Sequence, residues 1–266
     1  MIADDPSEDR LVVERDGAVA TLRLNRPESR NAISFEMYQA IPPLVRDLDD
    51  DDEVAVVVLR GTGDKAFAAG ADIGEFERVR ADATSARIYN DFVSAAELAV
   101  EQMSKPTIAM VHGFCIGGGC GLALACDLRF ADTNARFAIT PSKLGIVYNL
   151  DSTKRLVDAV GAARAKWVLM SGQQMDAATA LRLGLADEVV APDNLAALTY
   201  DFARLLTTRA QYSVRAAKYI VAKIMAGQSE DDEETTRLRD GSFDTADYAE
   251  GVRAFLEKRP PRFGVG

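Results

Sequence analysis

Between Val111 and Leu122 the chain places Gly113, Gly117, Gly118, Gly119 and Gly121 after an apolar run and ahead of the helical composition of residues 119–125. Three consecutive glycines let a ligand oxygen approach the backbone with no Cβ in the way. A helix starting there turns unpaired N–H groups and its positive dipole end toward that oxygen, which suits a developing negative charge or a phosphate. The run lacks the lysine and hydroxyl ending of a P-loop, and Leu122 stands where a dinucleotide fingerprint needs its third glycine. Tight helix–strand packing is the plain alternative for such a cluster. A second segment, Lys65 to Ile73, follows another apolar run in the same way. If the two runs are parallel neighbours, their loops meet at the carboxyl ends and one N–H from each points at the same oxygen.

Other reactive residue types are sparse. His112 is the only histidine and ends a buried strand, where a structural role is favoured. A serine-hydrolase triad is therefore disfavoured. Cys115, Cys120 and Cys126 lack zinc-ligand or disulfide spacing and read as small buried residues. The acidic run from Asp231 to Glu234 reads as a solvated helix start.

The elements that must position these loops follow from periodicity. Residues 11–14 and Val19–Leu24 flank Gly17 as a hairpin. Ser34 reads as the N-cap of a helix running to Leu48, which Pro42 and Pro43 should kink or divide. Residues 54–59 and Thr107–Val111 are continuous apolar runs, the mark of strands buried on both faces. Residues 128–130 and 137–139 read as shorter strands, and residues 86–103 as a helix. The recurrence of strand, turn, short strand and helix predicts an α/β spiral of β-β-α repeats rather than a doubly wound sheet. From about Gln173 strand signals fade, and residues 176–183, 193–207, 212–227 and 247–258 read as helices. Residues 1–195 are thus expected to form the spiral core and 196–266 a helical appendage. With no flexible linker between them, one folded unit is expected.

Composition narrows the function. The 266 residues are 48% hydrophobic with a net charge of −10, enough for a large core and contrary to an extended nucleic-acid surface. Residues 1–10 read as a polar tail without a signal peptide, and the odd cysteine count fits a reducing cytoplasm. No apolar run approaches the roughly 20 residues of a membrane span.

Several segments resemble the crotonase superfamily, the enoyl-CoA hydratase/isomerase family. They are Asn25 to Glu28 with Arg30, Asn31 and Ala32, then Ala66 to Ile73, and then Gly113 to Cys120. Gly172 to Ala177 with Gly184 and Leu185, and Glu250 and Gly251 with Phe255 to Arg259, continue the likeness over nearly the whole chain. The resemblance implies an acyl-CoA thioester substrate, with no permanently bound cofactor, whose carbonyl oxygen is held by the N–H groups of Ala71 and Gly118 while an enolate forms. It places coenzyme A near Arg30, Ala32, Ala69, Asp72 and Ile73, with Arg26, Arg30 and Lys65 facing its phosphates. It gives Phe255 and Lys258 a role in completing a pocket and implies a homotrimer or dimer of trimers.

The chain departs from the family's hydratases at both glutamates of the reacting centre. Gly121 occupies the first position and Pro141, followed by Ser142, the second. Each positioned acid or base contributes roughly 10²–10⁴-fold, so ordinary water addition should be slow. Asn149 stands where other members carry a carboxylate. Asp151 reads either as the N-cap of the following helix or as a shifted catalytic carboxylate, with Tyr148 as an alternative proton donor. Two readings result: an enzyme that stabilises a thioester enolate for isomerisation, hydrolysis, C–C cleavage or a specialised hydration, and a weakened homologue that only binds acyl-CoA or serves as a structural subunit. A carboxylate near the two N–H groups would favour the enzyme, and an apolar pocket floor the binding protein.

Overall fold

The computed structural model describes residues 10–264, so the polar tail read at the N-terminus lies, apart from Arg10, outside them. β1 (Leu11–Asp16) and β2 (Val19–Leu24) form the expected antiparallel hairpin, turning at Gly17 with φ +57°. α1 (Phe35–Asp50) starts at Ser34, whose hydroxyl accepts the Met37 N–H at 3.3 Å. Pro42 and Pro43 lie inside α1 and do not divide it, contrary to expectation. Both sit off the buried stripe of Met37, Ile41, Val45 and Leu48, so their rings do not crowd the core.

The chain then repeats one unit. β3 (Val56–Gly61), β4 (Ala66–Ala68), α2 (Phe76–Val79) and α3 (Ala83–Gln102) make the first turn. β5 (Thr107–Val111), β6 (Phe114–Ile116) and α4 (Gly118–Ala125) make the second. β7 (Leu128–Asp132) and β8 (Arg136–Ala138) lead into α5 (Pro141–Leu144), α6 (Leu150–Val160) and α7 (Ala162–Ser171). After β9 (Met175–Asp176), α8 (Ala177–Leu183) and β10 (Glu188–Val190), the rest is helical. It comprises α9 (Pro192–Thr207), α10 (Gln211–Met225), α11 (Glu233–Gly241) and α12 (Ala246–Leu256). Each repeat gives its long strand to a six-stranded sheet, β1-β2-β3-β5-β7-β10, and its short strand to a four-stranded one, β4-β6-β8-β9. This is the β-β-α spiral that the recurrence predicted. β4 and β6 lie in segments read as loops, and β9 and β10 where strand signals seemed to end. With two or three residues each, none is long enough to show an alternating pattern.

β3 and β5 are buried on both faces, as their unbroken apolar runs require. Val57, Leu59, Ala109 and Val111 join the core shared with α1, α3 and α4. Val56, Val58, Ile108 and Met110 face the other way, against Leu195 and Ala203 of α9. α9 therefore packs on the large sheet, and the boundary drawn after residue 195 falls within it. Beyond α9, Val221, Ile224, Phe243, Tyr248, Phe255 and Leu256 are exposed on the single chain.

Candidate active site

The two loops meet because β3 and β5 are parallel neighbours, Leu59 opposite Ala109, and β4 and β6 likewise, Ala66 opposite Phe114. A third segment locks them. Asn31, buried and at φ 56°, donates from Nδ2 to Ala66 O at 2.7 Å and Thr62 O at 3.0 Å. Asparagine tolerates that left-handed conformation better than most residues. Ile33 then forms a parallel bridge with Ala71: Ile33 N–H donates to Gly70 O at 2.8 Å and Asp72 N–H to Ile33 O at 2.9 Å. That pattern leaves the Ala71 N–H outside the ladder. Arg26 fixes the same turn, donating to Asp72 Oδ2 at 2.8 Å and Ala32 O at 2.9 Å.

Gly118 is the first residue of α4, so its N–H has no partner within the helix. A Cβ at Gly118 would lie 3.7 Å from Ala71 N and would overlap the hydroxyl of Tyr38 on α1. One at Gly70 would lie 3.9 Å from Gly118 N. The Ala71 and Gly118 amides are thus side by side at the wall of a cleft of about 740 Å³, open mouth included. Two such donors can hold one anionic oxygen.

Several polar side chains line this otherwise largely apolar cleft. Tyr38, Tyr89, Glu97 and Tyr148 all line it, and Tyr38 OH, Tyr89 OH, Glu97 Oε1 and Tyr148 OH are buried without a hydrogen-bond partner. An unsatisfied buried polar atom costs about 1–3 kcal/mol, so a cluster of them marks a place built for something else to occupy. Burial pushes the Tyr38 and Tyr148 hydroxyls well above the ordinary phenol range, so both stay protonated.

Glu97 is fully buried on α3. Its Oε2 accepts from Ser152 Oγ at 2.5 Å and from an Arg155 guanidinium nitrogen at 2.7 Å, both on α6. Arg155 also holds Glu101 Oε2 at 2.7 Å. A Cβ at Gly121 would overlap Glu97 Oε1 and lie 3.1 Å from Tyr148 OH. Burial pushes the Glu97 carboxyl up to about 7, against the lowering effects of Ser152 and Arg155. Sequence reasoning missed Glu97 and Tyr38. The signal for Glu97 was present: α3 buries Tyr89, Ala96 and Val100 on one stripe, and Glu97 is the charged residue within it.

The other anticipated residues divide. Tyr148 and Asn149 line the cleft, and Asn149 Nδ2 donates to Ser94 Oγ at 3.2 Å, tying the loop to α3. Asp151 is not among the lining residues. Nor is it the N-cap of α6; that position is Asn149, and Asp151 sits in the first turn, where a negative charge favours the helix dipole. Ala69, Ala71 and Ile73 line the cleft, Ile73 60% exposed at its mouth. Ala32 and Asp72 flank it through the Arg26 bonds, so Arg26 is already committed to Asp72. Arg30 is exposed over the Phe114 ring at 5.0 Å, and Lys65 is exposed. Phe255 is 83% exposed on α12, Lys258 follows at φ 54°, and neither lines this cleft in the single chain. His112 is engaged elsewhere, its Nδ1 2.7 Å from Asp132 Oδ2. The three cysteines are buried and unbridged. Among the described residues no cluster of side chains suits a metal ion, and no helix is long and apolar enough to cross a membrane.

A spiral of β-β-α turns with a cleft between paired loops is a crotonase-type architecture, and solved structures of that type superpose on the chain. An enoyl-CoA hydratase/isomerase family protein from Hyphomonas neptunium does so with a TM-score of 0.94 and 37% identity, covering 97% of this chain and 98% of that one. An enoyl-CoA hydratase from Bacillus anthracis gives 0.88 and 28%, covering 97% and 100%. The family profile described as Enoyl-CoA hydratase/isomerase matches residues 14–265. A crotonyl-CoA hydratase of Syntrophomonas wolfei is 34% identical over 259 residues, 96% of this chain and 98% of that protein. The chain belongs to the enoyl-CoA hydratase/isomerase family of the crotonase superfamily.

Proposed function

We propose that this chain is an enzyme that binds an acyl-CoA thioester in the cleft and stabilises its enolate through the Ala71 and Gly118 N–H groups. The observation that carries the reading is the pairing of those amides, neither consumed by secondary structure, in a cleft whose lining side chains include unpartnered polar atoms. Relatives named as hydratases of crotonyl-CoA and short-chain enoyl-CoA support the ligand class. Coenzyme A then runs past Ala69, Asp72 and Ile73 toward Arg30, Ala32 and Lys65, and no other cofactor is needed. The exposed apolar residues beyond α9 support a trimer or dimer of trimers, in which Phe255 and Lys258 close a pocket. The reducing cytoplasm remains the setting that the cysteines favour.

The reading of a chain that only binds acyl-CoA has Gly121 and Pro141 in its favour, since neither offers a carboxylate. The buried carboxylate of Glu97, a residue lining the cleft, speaks for the enzyme. Titration calorimetry with butyryl-CoA tests the shared part: saturable binding, competed by free coenzyme A, is expected. Absence of binding at millimolar ligand overturns both.

A further inference from the structure

Glu97 divides its two oxygens between different tasks. Oε2 takes both neighbours, the Ser152 hydroxyl and the Arg155 guanidinium, while Oε1 has none and lies against Gly121 near Tyr148 OH, Glu97 and Tyr148 both lining the cleft. A carboxylate serving only to join α3 to α6 has no reason to leave one oxygen buried and unpaired, since that arrangement is destabilising. The missing side chain of Gly121 explains the access: any Cβ there would occupy the place of Oε1. Gly121 lies three residues after Gly118 on α4, so Oε1 enters the same face of the helix whose first N–H stands beside Ala71.

We infer that Glu97 is the catalytic proton carrier of this site, delivered from α3 into the space that Gly121 vacates on α4. The inference rests on the thioester reading above. In the step, the Cα–H bond of the bound acyl group breaks and its proton forms an O–H bond with Oε1. The bonding pair becomes the C=C of the enolate while the carbonyl π pair moves to the oxygen between Ala71 and Gly118. Reversal returns the proton to Cα, or to a conjugated γ-carbon where the acyl chain has a β,γ double bond. Nothing is oxidised and no co-reactant is consumed. The group that Oε1 must match in pH is set by its surroundings: Arg155 and Asp151 from α6, Glu101 from its own helix, Tyr38 from α1 and Tyr148 from the preceding loop.

The test is deuterium incorporation at Cα of butyryl-CoA in D₂O, followed by mass spectrometry, with calorimetry of the same ligand alongside. The wild-type chain should exchange, its rate rising with pH and levelling above about 7, where Oε1 is free to accept a proton. Glu97→Gln should bind the thioester as before and lose about 10²–10⁴-fold in exchange. Moving the carboxylate back to α4, with Glu97→Gly and Gly121→Glu together, should recover part of that loss. Exchange by Glu97→Gln within about tenfold of wild type overturns the inference. So does a wild-type chain that binds without exchanging, which leaves the binding reading standing. A chain that does not bind overturns both.

Discussion

Two glycines one turn apart on α4 make room for different things. At Gly118 the absent side chain bares a backbone N–H beside Ala71, and a Cβ would instead strike Tyr38 OH. At Gly121 it admits a carboxylate from another helix. The first half of the cleft is therefore built from main chain held by loops, and the second from side chains held by packing between α3, α4 and α6. The backbone donors rely on Asn31 and Arg26 only to hold their loops, whereas the Glu97 half relies on Gly121, Ser152 and Arg155 at the reacting group itself.

That division can be broken experimentally. The largest effect should come from Gly118→Pro in a Tyr38→Phe background, which relieves the overlap and deletes one donor. Compared with Tyr38→Phe alone, turnover should fall by about 10²–10³, or 3–4 kcal/mol, with butyryl-CoA affinity nearly unchanged. An equal loss of binding would mean that the amide contributes uniformly rather than to the enolate.

The Glu97 half should show itself in stability as well as in rate when pH is varied. Its carboxyl stands at about 7 in the folded chain against 4.5 for an ordinary glutamate, so the fold retains a proton that the unfolded chain releases. This favours the protonated fold fully below about 4.5 and is lost as pH rises through about 7. Relative to Glu97→Gln, the wild-type chain should lose up to about 3 kcal/mol between those limits. Urea midpoints of both chains at pH 5 and pH 8.5 measure it, and parallel pH profiles would refute the shift. The smallest expected effect sharpens the assignment of roles. Ser152→Ala removes a hydrogen bond that lowers the Glu97 carboxyl, so the midpoint of the exchange–pH profile should move upward. An unmoved midpoint would separate Ser152 from the proton step.

The same contrast explains what the sequence could reveal. The backbone half is spelled out locally: glycines after apolar runs at 54–59 and Thr107–Val111 gave the loops, their convergence and the spiral. The side-chain half is assembled across distance, 24 residues of chain separating Glu97 from Gly121 and 55 separating it from Ser152. No spacing rule joins such positions, so the sequence offers Asp151 only as an N-cap or a shifted carboxylate, one residue short of Ser152, which the helical turn of α6 directs to Glu97. Tyr38 was hidden for a similar reason, since its position in α1 reads as core. The short strands escaped because two or three residues carry no period.

The overlap between a Cβ at Gly121 and Glu97 Oε1 also constrains how such a site can change by single substitutions. A carboxylate carried by α4 and one carried by α3 claim the same volume, so a chain holding both side chains at once must displace one of them. The uncrowded path between the two arrangements runs through an intermediate with glycine at 121 and no acid at 97. Such an intermediate would keep its cleft and its paired amides while lacking a proton carrier. Descendants of such a form need not regain the acid in the same place, and comparing them column by column would score a moved group as a lost one.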